Sequence, residues 1–452
     1  MTGQAEEASS ASPFQEFFRT EAGTGALLLT CVCVALGAAN SGWADAFRSL
    51  WATPVVITAG SHALSLTVHQ WINEGLMATF FLLVGLEIKR EVLAGELASP
   101  RQAALPIAGA IGGMLLPASI YLLANGGGIE ARGWAIPMAT DIAFALGTLA
   151  LVAPRAPSGL KVFLAALAIV DDMGAVLVIA LFYTHDMAWG FLGMAGIVVL
   201  LLIGLNVLHV RRLTPYLILG LALWFFVQRS GLHATIAGVL LAFAIPTKTR
   251  INAMEYSARA RRLLDRFDRT ETGDLLALTS KGQQEAIIGL ERASEGVTAP
   301  LVRLEHALHG FSAYVVMPLF ALSNAGVGWS GFSGGRVSLA VILGLVVGKP
   351  LGITGAALAA VWLRVARLPS GVNWTALHGC AWLGGIGFTM SLFIATLAFE
   401  GTPLLDSAEI GILGGSVLAG IIGTIVLRRG TRAGKDAAAS TNMSIFAAPE
   451  DN

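Results

Sequence analysis

About twelve stretches of this chain are apolar over enough consecutive residues to cross a lipid bilayer, and that repetition limits what it can fold into. A bilayer core takes roughly 20 helical residues. The spans are expected near Gly25–Ala39, Gly75–Ile88, Ala104–Ala124, Trp134–Ala153, Val162–Tyr183 and Gly190–Leu208. Further spans are expected near Tyr216–Val227, Leu232–Ile245, Ala313–Val327, Val337–Val361, Ala376–Phe399 and Ile410–Leu427, the seventh and eighth being short. Backbone polar groups in lipid must be satisfied within the segment, so spans of this length are helices. Charged residues make up 13% of the chain, against roughly 25% in soluble domains. The net charge is zero, so no global field suits nucleic acid.

The placement of lysine and arginine tests the span count. Of 29 basic residues, Arg48, Arg132, Arg229 and Arg336 fall on one side and Lys349 falls inside a span. The remaining 24 fall on the side that holds the N-terminus. Basic loops stay cytoplasmic. The bias therefore predicts an inner-membrane protein with both termini in the cytoplasm and an even number of spans. The expected order is a cytoplasmic segment 1–20, eight spans within 21–247, a long cytoplasmic loop 248–303, four spans within 304–429, and a disordered cytoplasmic tail 430–452. The first residues carry Glu6, Glu7 and Glu16 and lack a basic signal region, so the first apolar run is expected to be retained. Cys31, Cys33 and Cys380 read as buried small hydrophobes, with no disulfide framework or metal site.

Two connections stand apart from the spans. In the first, near 53–69, Leu64, Leu66 and Val68 alternate with Ser65, Thr67 and His69, and Gly60-Ser61 can turn. This predicts a periplasmic β-hairpin. The second is the loop 248–303, where arginines mix with acids around an apolar stripe of Leu263, Leu264 and Phe267. It reads as a solvated helical spacer, with a regulatory or docking segment as the alternative.

The two halves of the chain echo each other. Arg101–Pro117 leads to an interrupted span around Pro137–Asp141, and Arg336–Pro350 leads to one around Gly384–Thr389. Irregular backbone at membrane depth is tolerated where it lines a cavity. Paired interruptions point to an inverted repeat with the substrate site at the breaks.

Four ionisable residues lie deep in apolar sequence: Asp141, Asp171, Asp172 and Lys349. Each such charge costs roughly 2.5–3.5 kcal/mol to insert. Adjacent Asp171 and Asp172 project about 100° apart on a helix, so both can border one cavity. Hard carboxylate oxygens suit small hard cations. Carboxylates also bind protons, the more so when buried beside a like charge. A site that holds either a metal cation or protons, but not both, is the minimum an exchanger needs. Two aspartates and Lys349 sum to −1, which one sodium ion or one proton neutralises.

The residues 139–147, the Asp171-Asp172 pair, residues 348–352 and residues 385–391 together resemble the signatures of NhaA-type sodium/proton antiporters. The resemblance runs from about Phe14 to Arg429. It implies an all-α polytopic membrane protein with inverted repeats and two broken, crossing helices. It further implies electrogenic exchange of Na+, and also Li+, for H+ under control of cytoplasmic pH, without a cofactor. In that reading Na+ is held at Asp171 and Asp172, with Asp172 the principal ligand and Asp171 able to pair with Lys349. Thr140 and Asp141 would sit where the broken helices cross, with Asp141 offsetting the positive half-helix ends. The resemblance assigns pH response to Glu87, Lys89, Arg90, Glu91, His233 and Glu305. It also implies a homodimer through the 53–69 hairpin. The stretch from about Asn252 to Ala299 departs from the family's short loop.

Two other classes compete. An intramembrane aspartyl protease needs its two aspartates on separate helices, one after Gly-x-Gly, which no aspartate here has. A proton-coupled symporter, a passive channel or a transporter of another cation fits the adjacent acids and lysine less well than an exchanger does.

Overall fold

A computed structural model describes residues 13–59, 62–183, 187–269, 281–328 and 335–446; for 13–22, 59, 62–64 and 432–446 it describes the backbone alone. Gly60-Ser61, the expected turn, lies outside these residues, as do 1–12 and 447–452 of the two expected terminal segments.

The elements follow in chain order. Helix α1 (Pro13–Ala39) is followed by α2 (Ala44–Ala52), bent from it by 113°. Strands β1 (Pro54–Ala59) and β2 (His62–Thr67) pair antiparallel, Val55 opposite Leu66 and Ile57 opposite Leu64. The hairpin expected from the alternation is therefore present, but it ends two residues early. Thr67 accepts from Gln70 N at 3.2 Å and donates its own N–H to Gln70 Oε1 at 3.0 Å. That reciprocal cap starts helix α3 (Val68–Ala94), so Val68 and His69 are helical. Next come α4 (Pro100–Asn125), a tight 3₁₀ stretch Glu130–Met138, α5 (Ile142–Val152) and α6 (Ser158–Phe182). Helices α7 (Trp189–Val207), α8 (Leu213–Arg229), α9 (Thr235–Ala244), α10 (Ala253–Asp268), α11 (Lys281–Val297) and α12 (Pro300–Phe311) follow. The chain closes with α13 (Met317–Asn324), α14 (Arg336–Trp362), α15 (Trp374–Leu383), α16 (Phe388–Phe399) and α17 (Leu404–Phe446).

Among the described residues, seven helical stretches are long and apolar enough to cross a membrane. The number is up to nine if each of two bent pairs, α1 with α2 and α15 with α16, counts as one span. The protein is multi-pass and mostly helical, with one small antiparallel sheet.

The chain divides into two compact units. The first takes Met1–Leu76, Glu91–Thr184 and Ala313–Asn452. Its centre is the seam between α4 and α14. Gly112 and Gly352 face each other so closely that a Cβ on either would strike the other's carbonyl. Gly348 and Gly344 likewise admit Pro117 and Pro137. Residues Gly344–Gly348 form a π turn immediately before Lys349. Such turns insert an extra residue and re-aim the side chains that follow. The α15–α16 pair bends by 45° at Gly384–Gly387.

The second unit takes Met77–Arg90 and His185–Ser312. Its core is Leu202, Tyr216, Leu223, Leu241, Ala242 and Leu301. Within it the long connection is a packed helical pair: Leu263 of α10 lies over Gly289 of α11, and Arg266 meets Glu285 at 2.6 Å. Leu263 and Phe267 pack inward as the stripe required, but Leu264 is exposed. Cys31 and Cys380 are buried, whereas Cys33 is exposed, because on α1 it points away from the packed face.

Candidate functional site

The chain breaks its helix at Ala139-Thr140-Asp141, between Met138 and Ile142. Asp141 has extended backbone and caps α5, its Oδ1 accepting from Phe144 N at 3.1 Å. Its other oxygen, Oδ2, accepts from Thr389 N at 3.1 Å and from the Thr389 hydroxyl. Thr389 opens α16, so one carboxylate serves the N-termini of two helices. Each helix start carries about +0.5 of a charge, and two starts balance one carboxylate. Backbone bonds lock the same crossing: Asp141 N donates to Ile386 O at 2.7 Å, and Thr140 Oγ1 donates to Gly384 O at 2.8 Å.

The opposite ends of these half-helices present carbonyls. The Lys349 ammonium donates to Met138 O, the last carbonyl of the 3₁₀ stretch. It also donates to Asp171 Oδ2 at 2.5 Å. Lys349, Asp171 and Asp172 are all buried, at 0–1% exposure. A buried charge is costly unless it is paired and hydrogen-bonded. Here the lysine meets a carboxylate and a helix C-terminus together, and the Asp172 charge also acts on it. Thr140 adjoins the Asp171 carboxylate. The five residues Thr140, Asp141, Asp171, Asp172 and Lys349 thus belong to one unit and are gathered around one crossing of broken helices.

Thr389 was not singled out from sequence. Its signal was present, a threonine just after the glycine-rich break, where a helix start needs a polar partner. The carbonyls of Met138, Gly384 and Ile386 carry no side-chain signal at all.

The residues expected to respond to pH fall elsewhere. Glu87, Lys89, Arg90, His233 and Glu305 belong to the second unit. Lys89 Nζ caps the end of α9, donating to Phe243 O at 2.6 Å and Ile245 O at 2.5 Å. Arg90 pairs with Glu305 at 3.3 Å. The His233 carbonyl takes the N–H of Ile236 at 3.1 Å. Glu91 belongs to the first unit and accepts from Glu96 N at 3.0 Å, closing the turn after α3.

Residues 15–427 match the family described as Na+/H+ antiporter 1. The chain belongs to that family. Among its relatives, the Na+/H+ antiporter NhaA of Oleidesulfovibrio alaskensis is 51% identical over 427 residues, covering 92% of this chain and 94% of the relative. NhaA of Koribacter versatilis is 48% identical, covering 92% of this chain and 91% of its own. NhaA of Wolinella succinogenes is 46% identical, covering 90% and 91%. NhaA proteins are transporters rather than enzymes, which removes the protease alternative.

Proposed function

We propose that this NhaA-family chain exchanges Na+ for H+ at a single site built on Asp171 and Asp172. The observation that carries the reading is the buried cluster of two adjacent carboxylates and Lys349 at the crossing of the two broken helices. One sodium ion neutralises the cluster's net −1, and protons on the same two carboxylates remove the charge that holds it. Occupation by one therefore excludes the other. Asp172 is the principal sodium ligand, and Asp171 exchanges its lysine partner for the ion. Na+, Li+ and H+ are substrates, and no cofactor takes part.

The exchange is electrogenic in this account. Two titrating carboxylates allow two protons in for each sodium out, moving one positive charge inward. One charge is worth about 2.3 kcal/mol per 100 mV. An inside-negative potential would then expel sodium without a pH gradient.

The seven long stretches, with α1, α8, α9, the α12–α13 pair and the α15–α16 pair, give twelve passes. The recurrence of a long helix followed by a broken one, α4 then α5 and α14 then α15–α16, supports inverted repeats. The termini and the 248–303 connection are cytoplasmic, in an inner membrane. The hairpin β1–β2 makes a homodimer contact on the periplasmic side. Cytoplasmic pH acts through Glu87, Lys89, Arg90, Glu91, His233 and Glu305.

The test is sodium-driven proton movement in everted vesicles over a pH series, with Asp172→Asn as the control. An amide neither titrates nor supplies charge, so that variant loses exchange while inserting normally. Substantial exchange by a folded Asp172→Asn protein would overturn the reading.

A further inference from the structure

Carbonyls of the 3₁₀ stretch Glu130–Met138 are taken by side chains from other elements. Tyr121 of α4 donates to Glu130 O at 2.8 Å, and Tyr183, just past α6, donates to Arg132 O at 2.6 Å. Ser391 of α16 donates to Ile136 O at 2.8 Å. The series ends on Met138 O, which takes the Lys349 ammonium. Ile136 and Met138 lie at the broken end of the stretch, where carbonyls lack helical partners. Ser391 and Lys349 are both 0% exposed, so no water stands ready to replace either donor.

The backbone between these two carbonyls is stiff. Pro137 joins Ile136 to Met138 with a fixed φ and packs against Gly344. Ser391 holds this link on its near side, and Thr140 and Asp141 hold it on its far side. Gly387 makes room for the serine: a Cβ there would strike the Ser391 hydroxyl.

A lysine has three N–H donors, and two of those on Lys349 are in use, on Asp171 and on Met138 O. While Asp171 faces the ammonium, the carbonyl is the lesser partner. Once sodium takes Asp171, the carbonyl is the partner that remains. We propose that Ser391 is a positioning residue for sodium affinity: by fixing Ile136 it keeps Met138 O aimed at Lys349, and so lets Asp171 leave the lysine for the ion. The proposal rests on reading Asp171, Asp172 and Lys349 as the exchange site. Losing the carbonyl costs the sodium-bound form more than the sodium-free form, in which Asp171 still compensates the ammonium. Sodium affinity therefore falls without the serine, while the count of charges that cross stays the same.

The experiment measures sodium binding by calorimetry in detergent at one alkaline pH, and sodium-driven exchange in proteoliposomes at the same pH. Ser391→Ala should raise the sodium Kd and KM together by about three- to tenfold, the weight of one hydrogen bond, with kcat unchanged. Ser391→Cys keeps a weak S–H donor and should fall between alanine and wild type. Tyr183→Phe removes a hydroxyl from the same stretch, far from Met138, and should leave both constants unchanged. In a Lys349→Met background there is no ammonium to aim at, so Ser391→Ala should change Kd no further. A wild-type Kd in both serine variants overturns the proposal. So does an equal loss with and without Lys349, which would mark a general loosening of the crossing. If the alanine protein fails to insert, the cysteine variant is read against wild type in both backgrounds, with the same outcomes. Sodium binding that persists when Asp171→Asn and Asp172→Asn are combined would instead sink the exchange-site reading, so the two failures are told apart.

Discussion

Replacing Lys349 by alanine removes an ammonium that sits 2.5 Å from Asp171 and also holds the Met138 carbonyl. Both partners of the ion pair are 1% exposed at the side chain, so water cannot take the lysine's place. Breaking such a pair from one side costs about 3–5 kcal/mol, because the remaining charge is left buried and uncompensated. Asp171→Asn leaves the lysine in the same position and should cost a similar amount. The double variant leaves neither charge, so it should lose less than the two singles combined, by at least about 2 kcal/mol. At roughly 2–4 °C per kcal/mol for large domains, each single variant should melt on the order of 6–20 °C below wild type. The assay is thermal unfolding in detergent, followed by fluorescence-detected size exclusion on all four proteins. Additive losses would show that the pair is not a unit, and the charge count built on it would fail.

Four further outcomes follow from the same geometry. Asp141→Asn keeps a cap on α5 but cannot replace the charge facing two helix starts, so it should cost about 1–3 kcal/mol in the same melting assay. Ala at Gly112 or Gly352 strikes the opposing carbonyl and should cost about 1–3 kcal/mol, whereas Ala at Gly355, which faces open space, should stay within about 0.5 kcal/mol. Deleting Val55–Leu66, while keeping the Thr67 cap, should yield monomers by light scattering that still exchange ions; loss of exchange in an inserted monomer would count against a purely assembling role. With the membrane potential of proteoliposomes clamped by potassium and valinomycin, sodium efflux should speed up as the interior is made negative, and indifference to potential would make the exchange one for one.

The charged part of the site was legible because charge in an apolar run is expensive. Asp141, Asp171, Asp172 and Lys349 announced themselves by where they stood, and the glycine-rich break at 384–387 announced the second broken helix. What lay beyond was backbone. The carbonyls of Met138, Gly384 and Ile386 look alike in every sequence, and only folding aims them at Lys349, Thr140 and Asp141. The π turn at Gly344–Gly348 was hidden for a related reason: its residues are as apolar as an ordinary helix, and the close approach of Pro117 and Pro137 is a tertiary fact. At the hairpin, alternation ran on through Val68 and His69, yet the local cap between Thr67 and Gln70 outweighed it. Ser391 stands inside the 385–391 signature, but the Ile136 carbonyl it serves is distant in sequence and meets it only in three dimensions.

The single carboxylate of Asp141 has a mechanical consequence. It is the shared counterweight of two helix starts, and neither start can swing away without stranding its partial charge in a dry interior. The two breaks therefore behave as one fulcrum. A motion of either half-helix that keeps these contacts must turn about that point.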